Sequence, residues 1–206
     1  MLVGLGLGPG DPELLTLRAV RLLESADAVF VPGKVAAALV APWRTAEVLE
    51  FPMTEDEAVI RPSMERNADR IAEAECPGDG DRLVVLGILG DPNFYSTFSR
   101  LCAVLEERHP RVQWRTEPGI SAITAFASIA GVSLRNGFVV SDGSPEGDDR
   151  VLLKVRRPRE TAGRLQVEGY SDFVLIERMF MDEMAVYRND DLPDESDYFS
   201  VLFARR

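Results

Sequence analysis

The residues best equipped for chemistry cluster in one stretch, Leu89-Gly90-Asp91-Pro92-Asn93-Phe94-Tyr95-Ser96-Thr97. An ionised aspartate accepts hydrogen bonds from amides or a ligand hydroxyl, and Tyr95 and Ser96 beside it can face a reacting centre. Pro92 stiffens the turn, and Phe94 and Tyr95 offer flat apolar faces. Asp91, Tyr95 and Ser96 are the candidates that this stretch offers. A plain strand-to-helix turn, capped by Ser96 or Thr97, accounts for the same residues without any chemistry.

Two further segments offer backbone rather than side-chain chemistry. Residues 2 to 8, LVGLGLG, run into Pro9-Gly10-Asp11-Pro12-Glu13, a glycine-rich turn of the kind that cradles phosphate at a helix start. The dinucleotide frame fails here, because a start at Gly4 puts Pro9 in the last glycine slot and a start at Gly6 puts Asp11 there. The turn instead suits close backbone approach to a neutral or cationic ligand. Glu117-Pro118-Gly119 then opens a helix of small residues from Ser121 to Ala130, which permits close approach to another element or to a ligand.

Other catalytic classes lack their parts. His109, the single histidine, falls at a helix C-terminus, where a cation is favourable, and reads as structural. No serine has a histidine partner for a triad, and Cys76 and Cys102 have no metal-ligand spacing. Two cysteines in unlike contexts also fit a reducing compartment without a disulfide.

The elements that must position these residues follow from hydrophobic patterning. Leu83 to Leu89 is nearly free of polar side chains, as in a parallel strand covered on both faces, so the Asp91 loop sits at a strand's carboxyl end. Ligands of open α/β sheets bind there. Asp11 as N-cap and Pro12 at the first position predict a helix with Leu14, Leu15, Leu17, Val20, Leu22 and Leu23 as its stripe. Further expectations are a strand at 26–32, a brief helix at 34–41, a strand at 47–51 and an amphipathic helix at 61–75 with Met64, Ala68, Ile71 and Ala72 inward. Pro77 to Gly80 ends that helix. A helix continues through Leu105 and a strand begins at 112–114. Strands at 138–140, 151–155, 173–176 and 198–203, with one helix at 159–167, make the second half strand-richer.

This alternation predicts an α/β chain of two α/β domains, 1–115 with a mainly parallel sheet and 116–206 with a mixed one. The 206 residues carry a net charge of −11, which argues against a nucleic-acid partner. Acid runs at 55–57, 146–149 and 190–197 read as solvated loop surface. No apolar run reaches membrane length, and Met1 to Leu7 lacks the basic flank of a signal peptide, so a cytoplasmic protein without a membrane partner is expected.

GLGLGPGDPELLTLRAV, LGDPNFYST and EPGISAITAFA together resemble the tetrapyrrole methylases, which use S-adenosylmethionine. FPMTEDE, VLLKV, VLIERMF and YFSVLFA extend the likeness along the whole chain. LGDPNFYSTF with upstream FPMT is similar to the branch that methylates C-20 of precorrin-2 or its cobalt form in cobalamin synthesis. The resemblance implies a homodimer, with the methyl donor in a cleft between the two domains of each subunit and a tetrapyrrole as substrate. Donor contacts implied by motif are Pro9, then Leu89, Gly90 and Asp91, then Ser121 and Ala122. Leu153 stands where the family has a methionine, and Met179 falls at a backbone contact to adenine. No metal site is implied.

A sulfonium donor is already activated, so transfer to an electron-rich carbon needs alignment rather than a metal or covalent intermediate. Asp91 would orient the donor while Tyr95 and Ser96 face the reaction zone. The pattern singles out no base for the later proton loss, although Tyr95 or Asp91 could assist. Lys34, Arg61, Arg66, Arg135, Lys154 and Arg156 are candidate anchors for substrate carboxylates. The expected acceptor is the cobalt form. Alternatives are metal-free precorrin-2, a related methylase such as diphthine synthase, and a non-catalytic nucleotide-binding module.

Overall fold

A computed structural model describes residues 1–75, 82–135, 137–140 and 147–206. Cys76, the Pro77–Gly80 helix stop, Asn136 and Glu146 lie outside the described residues. Contacts divide the chain into two compact units, Met1–Val140 and Ser141–Arg206.

The first unit is built on five parallel strands in the order β3-β2-β4-β1-β5. These are β1 (Leu2–Gly6), β2 (Ala28–Val31), β3 (Glu47–Val48), β4 (Val84–Ile88) and β5 (Trp114–Glu117). β1 and β4 are central and every residue in them is buried, which is why both read as unbroken apolar runs. Helices α1 (Leu17–Ser25) and α2 (Lys34–Val40) cover one face through Ala19, Leu23, Ala36, Leu39 and Val40. Helices α3 (Glu57–Glu75) and α4 (Phe98–Arg108) cover the other through Met64, Ala68, Ile71, Leu101 and Leu105. Adjacent strands β1 and β4 thus send their chains to opposite faces, which opens a crevice at their carboxyl ends.

Local differences from the sequence expectation have physical causes. The expected first helix splits into a short 3-10 turn, Pro12–Leu14, and α1. Asp11 caps the turn, but Leu15 and Thr16 are extended, and the Thr16 hydroxyl caps α1 by accepting from Ala19 N at 3.0 Å. Leu17, expected in the apolar stripe, consequently points outward, 80% exposed, and Ala19, not expected there, is buried in the core. α3 begins earlier than expected because Asp56, assigned above to a solvated run, accepts from Ala58 N at 2.9 Å and starts the helix. Residues 138–140 form no strand and are exposed.

β5 pairs with β1, and helix α5 (Ala122–Ala130) follows it within the first unit. The boundary expected at residue 116 therefore falls inside a strand of the first sheet, and the contacts divide the chain after Val140.

Among the described residues the second unit holds four strands, β6 (Asp149–Leu153), β7 (Asp172–Glu177), β8 (Ala185–Arg188) and β9 (Ser200–Arg205), in the order β6-β9-β7-β8. Every pairing is antiparallel rather than mixed, because β9 returns between β6 and β7 and β8 closes a hairpin on β7. β8 was not expected, since its short alternating segment follows a methionine-rich loop. Helix α6 (Pro158–Val167) packs Ala162 and Leu165 on one face with Phe173, Leu175, Leu202 and Ala204. On the other face Val151, Leu153 and Val186 remain exposed. No described helix is long and apolar enough to cross a membrane.

Phe98, 2% exposed, fills the space above Gly4, where a Cβ would lie 2.5 Å from the ring, and meets Trp114 edge-on at 5.9 Å. Phe98→Ala should cost about 3–5 kcal/mol of stability in urea titration. Cys102 is buried, and desolvation, helped by Glu106, pushes its thiol up to about 12. Peptide mapping should find Cys102 unmodified by iodoacetamide at about pH 8 in the native protein and alkylated once urea unfolds it.

Candidate functional site

Three loops leave the carboxyl ends of β1, β4 and β5 and meet through backbone. Gly8 and Gly90 form an antiparallel bridge, with Gly90 N donating to Gly8 O at 2.7 Å and Gly8 N to Gly90 O at 3.3 Å. Gly90 has φ 75°, a left-handed conformation that favours glycine. At the next level down, Gly6 and Gly119 touch: a Cβ on Gly6 would lie 2.3 Å from Gly119 N, and a Cβ on Gly119 would lie 2.3 Å from Gly90 O. Glycine alone is small enough at positions 6 and 119 for these backbones to pack, and Gly90 contributes the carbonyl that a Cβ at either would meet.

Asp91 locks the junction. It is 6% exposed, and its Oδ2 accepts from Gly119 N at 3.0 Å while Oδ1 accepts from Asn93 N at 2.8 Å and Asn93 Nδ2 at 3.1 Å. Both oxygens are occupied by protein donors, so the carboxylate holds the β4 loop to the β5 loop. A buried acceptor of this kind is expensive to leave unmatched, about 1–3 kcal/mol.

The other candidates divide between this junction and the second unit. The junction brings Pro9, Leu89, Gly90 and Asp91 together, with Ser121 and Ala122 two and three residues beyond Gly119. Pro9 is exposed and Leu89 is 41% exposed. A Cβ on Gly90 would meet nothing within 4 Å, so open space borders the loop there. Ser121 caps α5, its hydroxyl accepting from Ile123 N at 3.2 Å. Tyr95 is 66% exposed at φ 50°. Ser96 spends its hydroxyl locally, donating to Pro92 O at 2.8 Å and accepting from Phe98 N at 3.0 Å, so it starts α4.

Leu153 and Met179 belong to the second unit. Leu153 ends β6 and is 68% exposed; Met179 follows β7 and is 37% exposed. Leu153 and Ile176 both pair with Val201, which puts the two segments at one end of the sheet.

Sequence reasoning missed Glu117, which it treated only as part of a turn. This carboxylate is 8% exposed and is held by Arg18 Nη1 at 3.1 Å and by Arg115. It ties α1 to β5 immediately before Gly119. The signal was an acid at the end of a strand, just before Pro118-Gly119, but its partner Arg18 lies far away in sequence. His109 is structural as expected: it ends α4, and its Nε2 lies 2.6 Å from Asp69 Oδ1. Of the candidate anchors, Arg61 is paired with Glu65 and Glu107, and Arg66 approaches Glu50. No group of metal-binding side chains occurs among the described residues.

The family model for Tetrapyrrole (Corrin/Porphyrin) Methylases matches residues 1–185. A protein of Methanocaldococcus jannaschii named probable cobalt-precorrin-2 C(20)-methyltransferase is 28% identical over 228 residues, covering 98% of this chain and 95% of the relative. A precorrin-2 C(20)-methyltransferase of Sinorhizobium is 29% identical over 236 residues, covering 98% and 93%. A solved structure of a cobalamin synthesis related protein (CobF) from Corynebacterium diphtheriae shares the fold, with a TM-score of 0.53 and 14% identity over 100% of this chain and 98% of that one.

Asp91→Asn keeps the shape but turns an amide NH2 toward one of the backbone N–H donors. It should lower the urea midpoint, with a loss of about 1–3 kcal/mol. Gly119→Ala should lose more, since its Cβ meets backbone that cannot swing aside. A variant as stable as wild type in either case removes the junction from its proposed place in the fold.

Proposed function

This chain belongs to the Tetrapyrrole (Corrin/Porphyrin) Methylases, and from that premise we propose that it transfers a methyl group from S-adenosylmethionine to C-20 of cobalt-precorrin-2 in cobalamin synthesis. The observation that carries the reading is the nearly end-to-end similarity to two C(20)-methyltransferases, one of them named for the cobalt substrate. The metal-free precorrin is the alternative acceptor, and a protein acceptor as in diphthine synthase is disfavoured.

The glycine junction supports donor binding on this reading. Open space beside Gly90 and the apolar surface of Leu89 suit an adenosine-bearing ligand lying against the β4 loop, with Pro9, Ser121 and Ala122 around it. In the second unit, Leu153 and Met179 are exposed apolar groups. The donor supplies an activated methyl on a positively charged sulfur. The residues of this chain then have one task, to hold the loops so that donor and acceptor carbon lie in line, and such positioning accounts for up to roughly 7–11 kcal/mol in favourable intramolecular cases.

Asp91 acts in this scheme through the loops it joins: it fixes Gly119, and with it Ser121, against Gly90. Tyr95, exposed at the mouth of the loop, is the better placed of the two remaining catalytic candidates, since Ser96 is committed to its cap. We assign the working form as a homodimer.

Incubation with methyl-labelled donor and either cobalt-precorrin-2 or metal-free precorrin-2 should yield a monomethylated product, faster with cobalt. Label appearing only in elongation factor would overturn the reading. Calorimetry with S-adenosylhomocysteine should show binding that Asp91→Asn weakens at least about ten-fold. Leu153→Met should bind within about ten-fold of wild type, because the two side chains have similar volume. Sedimentation equilibrium should return twice the chain mass.

A further inference from the structure

At one end of the antiparallel sheet β6 and β7 finish and β9 begins, with Ser200 paired to Glu177 and Val201 paired to Leu153. Immediately outside the strands, Lys154 N donates to Ser200 O at 2.8 Å and Arg178 N donates to Phe199 O at 2.7 Å. These bonds hold Lys154 at φ 59° and Arg178 at φ 51°, a region L-residues rarely occupy. The surrounding sheet fixes this backbone strain.

That side chain places its Nζ 5.1 Å from the centroid of the Tyr198 ring. Tyr198 and Phe199 meet edge to face at 5.5 Å and are 47% and 55% exposed. The acidic groups of the rim are engaged elsewhere. Glu177 Oε1 accepts from Asp197 N at 3.0 Å, Asp197 Oδ1 accepts from Phe199 N at 2.8 Å, and Glu183 pairs with Arg178 at 2.6 Å. Lys154 therefore faces an aromatic ring and no carboxylate among the described residues, in a chain whose net charge is −11.

We propose that this rim is the docking platform for the tetrapyrrole, with the macrocycle lying on Tyr198 and Phe199 and a peripheral carboxylate on Lys154. The complementarity is of shape and charge together. A flat apolar ring edged with carboxylates meets an exposed aromatic pair edged with an ammonium, and a lysine head is a compact charge that exchanges its cation–π contact for an ion pair without moving the backbone. The proposal rests on the tetrapyrrole reading above and adds the surface that recognises the acceptor rather than the donor.

The test uses the full chain and follows methyl transfer while cobalt-precorrin-2 is varied at saturating donor. Lys154→Gln should raise KM for the tetrapyrrole about ten-fold, the equivalent of one lost charge-assisted bond, and Lys154→Glu should raise it further. Lys154→Arg should recover most of the loss, and Tyr198→Ala should raise KM where Tyr198→Phe does not. Affinity for S-adenosylhomocysteine should stay within about two-fold in all of them. The salt dependence of KM should flatten in Lys154→Gln.

Unchanged KM in both Lys154→Glu and Tyr198→Ala overturns the platform, as does a loss of donor affinity that parallels the rise in KM. Failure of the wild-type chain to methylate either tetrapyrrole is a different result, visible before any variant is made. It overturns the functional reading, and the platform with it.

Discussion

The first unit depends on three backbones passing within van der Waals contact at Gly6, Gly90 and Gly119. No side chain fits at Gly6 or Gly119, and the contact brings the loops after β1, β4 and β5 to one place. Hydrogen bonds then make the junction specific: the Gly8–Gly90 bridge joins the first pair of loops, and the Asp91 carboxylate joins the second pair. Each bond is worth little alone, but each satisfies a polar group that water cannot easily reach, so the arrangement resists opening.

This construction matches the demand made by methyl transfer. A sulfonium donor and an electron-rich acceptor carbon react when aligned, and the rate then depends on how firmly the surrounding loops are held. Asp91 illustrates the consequence. As a group of type and position it suggests acid, base or ligand contact, whereas its environment makes it a brace between two loops. Glu117, held by Arg18 and Arg115 just before Gly119, extends the same bracing to α1.

The second unit uses different physics. Its antiparallel sheet is covered by α6 on one side, while exposed apolar residues and a rim of aromatic and cationic groups remain at the other face and at one end. Residues held at positive φ cluster around that end and the β7–β8 loop, among them Lys154, Arg178, Phe180 and Glu183. Strain of this kind persists only where hydrogen bonding over-determines the backbone, as the bonds from Lys154 and Arg178 to the start of β9 do.

Much of this was determined by sequence alone, because the signals are local. Apolar runs marked β1 and β4, spacing marked the inward side of α3, and Asp11, Ser96 and Ser121 marked turns and helix starts through bonds to amides two residues away. Motif likeness named the family, since motifs are local strings as well. Only tertiary structure decided what depends on partners distant in the chain. It assigned β5 to the first sheet, made the second sheet wholly antiparallel, spent both oxygens of Asp91 on loop donors and buried Glu117 between two arginines. The spacing of residues along a chain carries no record of which amide will arrive opposite a carboxylate; that is settled when the backbones close on one another.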